Sequence, residues 1–522
     1  MKRIALVAFQ EQDNLGVGYI ASMLIEKNYH VSLLDCGDTP QEIYSHLKEI
    51  RPLAVGFSII FQYLLPQTRD LVAYLRQQGM DCHFCAGGHY PSLRPQDLLQ
   101  FIPGLDSIAM FEGEYTFSEL VQCLDNGSDW HDIQGLAYRN NGSVVVNELR
   151  PLEQNLDLFP LPVRRYDQNI IMGQPSVPIL AGRGCYYNCS FCSIRQFYSR
   201  PPGPLKRLRD PAYVAEEMSV LYHQKNCRIF LFQDDDFPVR GKPGRQWILD
   251  FCRELEQRHI HDSVLWKISC RPDEIDESIF LTLREHGLSA VYLGIESGTD
   301  EGLRAMNKMI TTEKILSGIA QLKALNILFE FGFMLFEPYS DFDSIRRNLK
   351  FLRSICGDGY ASVTYCKMRP YAGTPIEADL IESGRLNGSI GFEDYNFLDA
   401  VVGQYQKFMS KCFAEWINSH DGLLNISRWA RLKSLICRKY YRQDDMRDFR
   451  SEISDLTTNA NNYFIDTALK ILDIFSQSSG SLKSDPLDNI KIQIDQFHNE
   501  YRSKFQQIID CLDVVVPEKS LG

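Results

Sequence analysis

The chain lacks a long apolar run. No stretch of its 522 residues approaches 18 uninterrupted hydrophobic positions, the length a membrane-crossing helix needs, so no membrane span is expected. The opening "MKRIALVAFQEQDN" has an apolar stretch, Ile4–Phe9, but no small-residue cleavage site after it. It reads as a buried strand and not as an export signal. An excess of positive charge is missing as well: 55 Lys and Arg stand against 67 Asp and Glu, a net charge of -12. A general nucleic-acid binder would need a basic face, so no nucleic-acid partner is expected. Internal repeats and long low-complexity segments are absent too. The 15 cysteines are odd in number and mostly scattered singly, which does not suit a disulfide framework. With no export signal, they read as reduced thiols in the cytoplasm, most of them small apolar core residues.

What is present is a repeated alternation of strand and helix. In the first part, apolar strands Ile4–Phe9, Val31–Asp35, Leu53–Ser58, Cys82–Ala86 and Ser107–Phe111 are separated by helical stretches. Strands joined through helices predict a doubly wound parallel sheet, which binds ligands at the carboxyl ends of its strands. "GLAYRNNGSVVVNE" (Gly135–Glu148) predicts a hairpin turning at Asn141-Gly142, and "LDLFPLPVRRYD" a connector. A second series starts at Val177, with strands "VPILAG", "RIFLFQ", "LWKISC", "AVYLGI", "LFEFGFMLF" and "ASVTYCKM". Six βα units suggest a partial barrel and not a closed eight-stranded one. From about Asn387 the pattern is helical and contains the basic stretch Arg428–Arg442. The fold class expected is thus α/β: a doubly wound sheet (1–130), a hairpin and linker (131–170), a partial (β/α)6 barrel (171–385) and a helical C-terminal domain (386–522).

Directly after the first strand of the second series comes "GRGCYYNCSFCSIRQFY", with Cys185, Cys189 and Cys192 spaced C-x3-C-x2-C. A fourth cysteine is missing. Four thiolates would close a zinc site or fill every corner of an iron–sulfur cube; three leave one iron open to a small molecule. Zinc is the competing assignment, but no fitting fourth ligand lies near, the next histidine being His223.

This triplet, with the aromatic Phe191 ahead of its last cysteine, resembles the radical S-adenosylmethionine (SAM) superfamily. The resemblance implies a [4Fe–4S] cluster on Cys185, Cys189 and Cys192, and SAM on the open iron beside Phe191. It also implies SAM contacts at the ends of later strands. "FQDDDF" offers Asp234 and Asp235 for the amino group, since an ammonium wants an anionic partner; a solvated acidic turn is the alternative. "SCRPDEID" offers Arg271 for the SAM carboxylate, or for a local pair with Asp273. "GIESG" offers Glu296 and Ser297 for the ribose.

The first sheet resembles the cobalamin-binding domains of the methionine-synthase type, which carry D-x-H-x-x-G, S-x-L and G-G at set distances. Here Gly16 is followed after 41 residues by Ser58-Ile59-Ile60, and after 26 more by Gly87-Gly88. The family's histidine position falls on Asp13, so the usual lower cobalt ligand is missing. Ile60 replaces leucine. "GGHYPSLRP" and "FEGEYTF" add His89, Glu112 and Gly113; His89 either faces the corrin or fills a loop. A dinucleotide site would want G-x-G-x-x-G, and Gly16 and Gly18 alone do not supply it.

Together these features resemble the cobalamin-dependent radical SAM enzymes. The resemblance covers roughly residues 1–385 and implies methyl transfer to a poorly activated carbon of a small-molecule or natural-product substrate. One SAM would methylate the cobalamin, a second would give a 5′-deoxyadenosyl radical, and an electron donor such as flavodoxin or ferredoxin would supply reducing power. A non-methylating rearrangement or cyclisation with the same cofactors is the alternative, and a non-catalytic corrinoid or SAM sensor another. No second cysteine cluster precedes the triplet, which argues against a methylthiotransferase. The basic stretch in the helical region reads as a solvated helix face, or as a site for a phosphate, a peptide or an acidic carrier.

Overall fold

The structure, a computed structural model, describes residues 2–10, 13–164, 169–441, 448–477 and 484–514. Glu11, Gln12, Arg165, Tyr166 and Asp167 of the sequence motifs, and Arg442 of the basic stretch, lie outside the described residues.

The first sheet has seven strands: β1 (Arg3–Ala8), β2 (His30–Asp35), β3 (Ala54–Ser58), β4 (His83–Gly87), β5 (Ser107–Ala109), β6 (Leu136–Asn140) and β7 (Ser143–Val146), in the order β2-β1-β3-β4-β5-β6-β7. The first five are parallel. Their strands are apolar on both sides because helices cover both faces. Leu15–Glu26 and Gly113–Asn126 pack together, and Pro40–Ile50 and Leu65–Gln77 pack together, over two separate apolar cores. The parallel order 2-1-3-4-5 has its switch point between β1 and β3, where such sheets open a crevice for ligand. The hairpin forms as the Asn141-Gly142 turn requires. Its strands β6 and β7 pair antiparallel onto β5 and extend the sheet.

The second sheet contains β8 (Ile170–Ile171), β9 (Gln174–Ile179), β12 (Ile229–Phe232), β13 (Leu265–Cys270), β14 (Leu288–Glu296), β15 (Leu328–Phe336) and β16 (Cys366–Lys367), ordered β16-β15-β14-β13-β12-β9-β8. A small antiparallel pair, β10 (Gly182–Gly184) and β11 (Lys206–Leu208), stands in the connection after β9. Six strands, β9 and β12–β16, run parallel and curl into an open barrel. The sixth is shorter than the sequence suggests: only two residues of "ASVTYCKM" pair.

The helical region is built on the barrel. Its basic stretch is not a solvated face. In the helix Leu423–Tyr440, Arg431 donates to the carbonyls of Gly359 and Tyr360. The Tyr440 hydroxyl donates to the Arg228 and Ser263 carbonyls at 3.1 and 3.3 Å, and Gln174 Nε2 donates to the Tyr441 hydroxyl at 2.7 Å. Gln174, Arg228 and Ser263 stand at the amino ends of β9, β12 and β13, so the helix closes the floor of the barrel. No helix among the described residues is long and apolar enough to cross a membrane.

Candidate functional site

Two features meet where the carboxyl ends of the two sheets face each other. The first is the cysteine loop after β9. It is fastened at both flanks. Ser190 N–H donates to the Met306 carbonyl at 2.9 Å, its own carbonyl accepts from Ile376 N–H at 3.1 Å, and Asn307 Nδ2 donates to the Asn188 carbonyl at 2.6 Å. Tyr187, between the first two cysteines, donates to Glu274 Oε1 at 2.6 Å and lies under Arg271, 3.8 Å from its ring centre. Burial pushes Cys185 up to about 12 and Cys192 up to about 11; Cys189 is also raised, against the pull of Lys308 and Arg271. Neighbouring thiols add to the rise: Cys192 acts on Cys185, and Cys189 on Cys192. The three thus share one region. Yet among the described residues no three Cys, His, Asp or Glu side chains converge as they would on a single ion. Thiolates on one zinc must all stand about 2.3 Å from it. Three thiolates can hold three corners of a cube and leave the fourth open, so the donor set suits a cluster by its chemistry.

The second feature is a cavity of about 440 Å³ at the carboxyl end of the first sheet. Asp13, Gly16, Ser58 and Ile60 enter it from the β1 and β3 ends, Gly87, Gly88 and His89 from β4, and Glu112 and Gly113 from β5. All nine sequence candidates for the corrinoid are brought together. Small residues make the space. Gly88 has φ 113°, and a Cβ there would overlap the Ile59 carbonyl. Its carbonyl accepts from Ser92 Oγ at 2.6 Å, and that oxygen accepts from Phe111 N–H at 2.6 Å. A Gly88→Ala protein must move this chain of contacts. It is expected to retain less than about a tenth of the wild-type corrinoid while iron content is unchanged; a full corrinoid complement would remove Gly88 from the site.

The cavity continues to the strand that leads into the cysteine loop, with Gly182, Arg183 and Asp235 on its far wall. Beside it lies a smaller cavity of about 320 Å³, which shares Ile60, Phe61, His89 and Asp235 and reaches Ser193 and Tyr371. His89 joins the two halves. Its Nδ1 is 3.3 Å from Ser193 Oγ, next to Cys192, and its ring stacks on Phe197 at 4.5 Å. Burial pushes it down to about 4, so the imidazole is neutral. It packs the loop and lines the cavity.

The SAM candidates separate. Asp235 faces both cavities while its Oδ2 accepts from Gly184 N–H at 2.9 Å; burial raises it to about 6. Asp234 turns inward. It is buried, accepts from Ala181 N–H at 3.0 Å and is pushed by burial to about 7, so it fixes the end of β9. Arg271 grips Asp273 with two nitrogens, at 2.9 and 3.1 Å, and the Lys308 carbonyl with a third, at 2.7 Å. Ser297 is also inward, 3.3 Å from both Thr299 Oγ1 and Asn348 Oδ1. Glu296 stays at the strand end in a left-handed conformation (φ 68°), 3.3 Å from Lys308 Nζ. Phe191 packs against the barrel core. Lys308, Tyr187, Asn307 and Glu274 carry no motif. Tyr187, inside the triplet, and Glu274, inside "SCRPDEID", lie within quoted stretches without having been singled out there.

The two halves are clamped by buried charge. Glu112 accepts from Arg183 at 3.1 Å and from Arg207 at 2.9 and 2.7 Å, and Glu114 pairs with Arg183 at 2.7 Å. The arginines come from β10 and β11, the glutamates from the start of the Gly113–Asn126 helix. Glu112 lines the cavity, but its oxygens are engaged in this clamp.

Residues 179–351 match the family model of the radical SAM superfamily, and residues 1–121 that of the B12 binding domain. The chain belongs to the cobalamin-dependent radical SAM enzymes. It is 27% identical over 395 residues to an uncharacterised methyltransferase of Pyrococcus horikoshii, covering 74% of this chain and 82% of that protein. It is 26% identical over 461 residues to the anaerobic magnesium-protoporphyrin IX monomethyl ester cyclase of Rubrivivax gelatinosus, covering 81% and 80%. The cobalamin-dependent SAM radical enzyme OxsB, solved with aqua-cobalamin and SAM, shares the fold with a TM-score of 0.69 at 16% identity, over 100% of this chain and 82% of that one. A [4Fe–4S] cluster, SAM and cobalamin are therefore the cofactors of this enzyme.

Proposed function

We propose that this enzyme methylates a poorly activated carbon of a small molecule. The observation that carries the reading is the cavity running from the corrinoid-type strand ends to Arg183 and Asp235 at the barrel's edge, with a second cavity that shares Asp235 and reaches Ser193 beside Cys192. When bound, the cluster with SAM supplies a radical and the cobalamin a methyl donor. The chain's own part is to hold, align and exclude water. Cys185, Cys189 and Cys192 hold the cluster, with the cations of Lys308 and Arg271 favouring thiolate at Cys189. Asp235 takes the SAM amino group and Glu296 its ribose. Asp13, Gly16, Ser58, Ile60, Gly87, Gly88, His89 and Gly113 form the corrin bed, and Glu112 keeps that bed facing the barrel. No histidine stands at the Asp13 position, and the neutral imidazole of His89 is turned to Ser193 and Phe197. A reduced cytoplasmic setting with flavodoxin or ferredoxin as electron donor suits this chemistry.

Cyclisation is the second reading, favoured by the identity to the Rubrivivax cyclase. Cofactor analysis after anaerobic purification and reconstitution tests the first. About four irons and one corrinoid per chain are expected, with S-adenosylhomocysteine formed in step with product. Product without S-adenosylhomocysteine would mean cyclisation or rearrangement, and iron without corrinoid would end the methyl-transfer reading.

A further inference from the structure

The inner face of the barrel carries side chains that neither the cysteine loop nor the corrin cavity uses. Burial alternates along the central strands, as a sheet covered on one face requires. Ile268, Leu293 and Phe331 are fully buried, on the face that the outer helices cover. Lys267, Tyr292 and Glu330 point the other way and keep access to open space. Tyr292 is 38% exposed although β14 is an interior strand of the sheet, so the barrel is hollow there. Gly332 keeps it so: a Cβ on that residue would come within 2.7 Å of the Tyr292 hydroxyl.

The hollow is charged unevenly. Lys267 Nζ lies 2.7 Å from Glu330 Oε2. Arg428, from the helix that closes the floor, has its Nε 3.9 Å from Oε1 of the same carboxylate. Burial would raise Glu330, but these two cations hold it below its ordinary value. Higher in the barrel, Glu296 is matched by Lys308. Glu296, Cys366, Arg428 and Glu330 all act on Tyr292, which places its ring among them. Among the described residues, two cations share this one carboxylate, leaving one positive charge in the hollow without a carboxylate of its own.

We propose that this hollow is the substrate pocket and takes a small molecule bearing a carboxylate or phosphate, bound by Lys267 and Arg428 with Tyr292 beside it. The inference rests on the methyl-transfer reading for the fate of that molecule, and on the barrel alone for its charge. Inorganic phosphate and acetate, titrated separately by calorimetry into the full-length reconstituted protein, test it. At least one should bind at a single site, and the tighter of the two tells a phosphate-bearing substrate from a carboxylate-bearing one. Lys267→Met and Arg428→Met should each weaken binding about tenfold, the loss of one charge-assisted contact. Glu330→Gln should strengthen it about tenfold, a gain that misfolding cannot give. Absence of binding by either anion, or a shift of all three variants in one direction, overturns the pocket. Anion binding without any SAM cleavage would instead end the methyl-transfer reading and leave the pocket standing. SAM cleavage with no anion binding would end the pocket alone.

Discussion

A Cys189→Ala protein is expected to form 5′-deoxyadenosine from SAM at less than about a hundredth of the wild-type rate under strong reductant. Loss of an outer-shell partner of a metal ligand already costs ~10–100-fold, and Cys189 is placed as a ligand itself. Of the triplet it is the buried member, with Lys308 and Arg271 both acting on its sulfur. Those cations are paired with Glu296 and Asp273, and they also favour thiolate over thiol at this sulfur. Iron and sulfide per chain should fall with the activity. Cys511→Ser, on the exposed side of the last helix, is the control and should change neither. If Cys189→Ala cleaves SAM at the wild-type rate, the triplet does not hold the cluster. The measurement should be made on protein reconstituted and desalted anaerobically, so that adventitious iron does not hide a lost site.

That triplet was legible because three thiols at fixed spacing after a strand have few other uses. The corrin-side candidates were legible for a related reason. In a doubly wound sheet every strand end reaches the same edge, so residues far apart in sequence, Gly16, Ser58 and Gly87, must meet there. Neighbours on one strand end were not separable. Asp234 and Asp235 are identical in the sequence, and which of them faces the cavity depends on how far β12 extends before it turns. The backbone decides it, giving the Ala181 N–H to Asp234 and the Gly184 N–H to Asp235. The surroundings of Arg271 and Ser297 were not separable in the sequence either. Each has a local partner, Asp273 or Asn348, that geometry prefers. Lys267, Tyr292 and Glu330 were hidden inside strands otherwise read by their apolar residues. A lysine and a glutamate on strands far apart in the chain become a pair only when β13 and β15 curl toward each other around β14. The basic helix stretch misled because sequence charge says nothing about which carbonyls lie opposite; here they are the amino ends of the barrel strands.

The Glu112 clamp yields the second large effect. Glu112→Gln keeps the shape of the side chain but removes its charge. Arg183 would keep Glu114. Arg207 would not be so placed: it is almost fully buried, its other hydrogen bond is to the Glu153 carbonyl, and Glu112 is the only carboxylate with which it forms an ion pair among the described residues. Breaking a buried pair by removing one partner costs about 3–5 kcal/mol, because the remaining charge stays out of water. The expected result is a lower thermal midpoint together with weaker corrinoid retention, since the same residue joins the corrin bed to β10 and β11. Arg207→Met on top of Glu112→Gln removes the stranded charge and should recover most of the stability, and the cycle of the two singles and the double measures the coupling. Corrinoid retention is the more telling readout. If it recovers with stability, the clamp acts by holding the two sheets face to face. If stability returns while the corrinoid is still lost, Glu112 touches the cofactor directly, as its place on the cavity wall allows. If the single variant is as stable as wild type, the charges are not buried together in solution and the two halves are held by apolar packing alone.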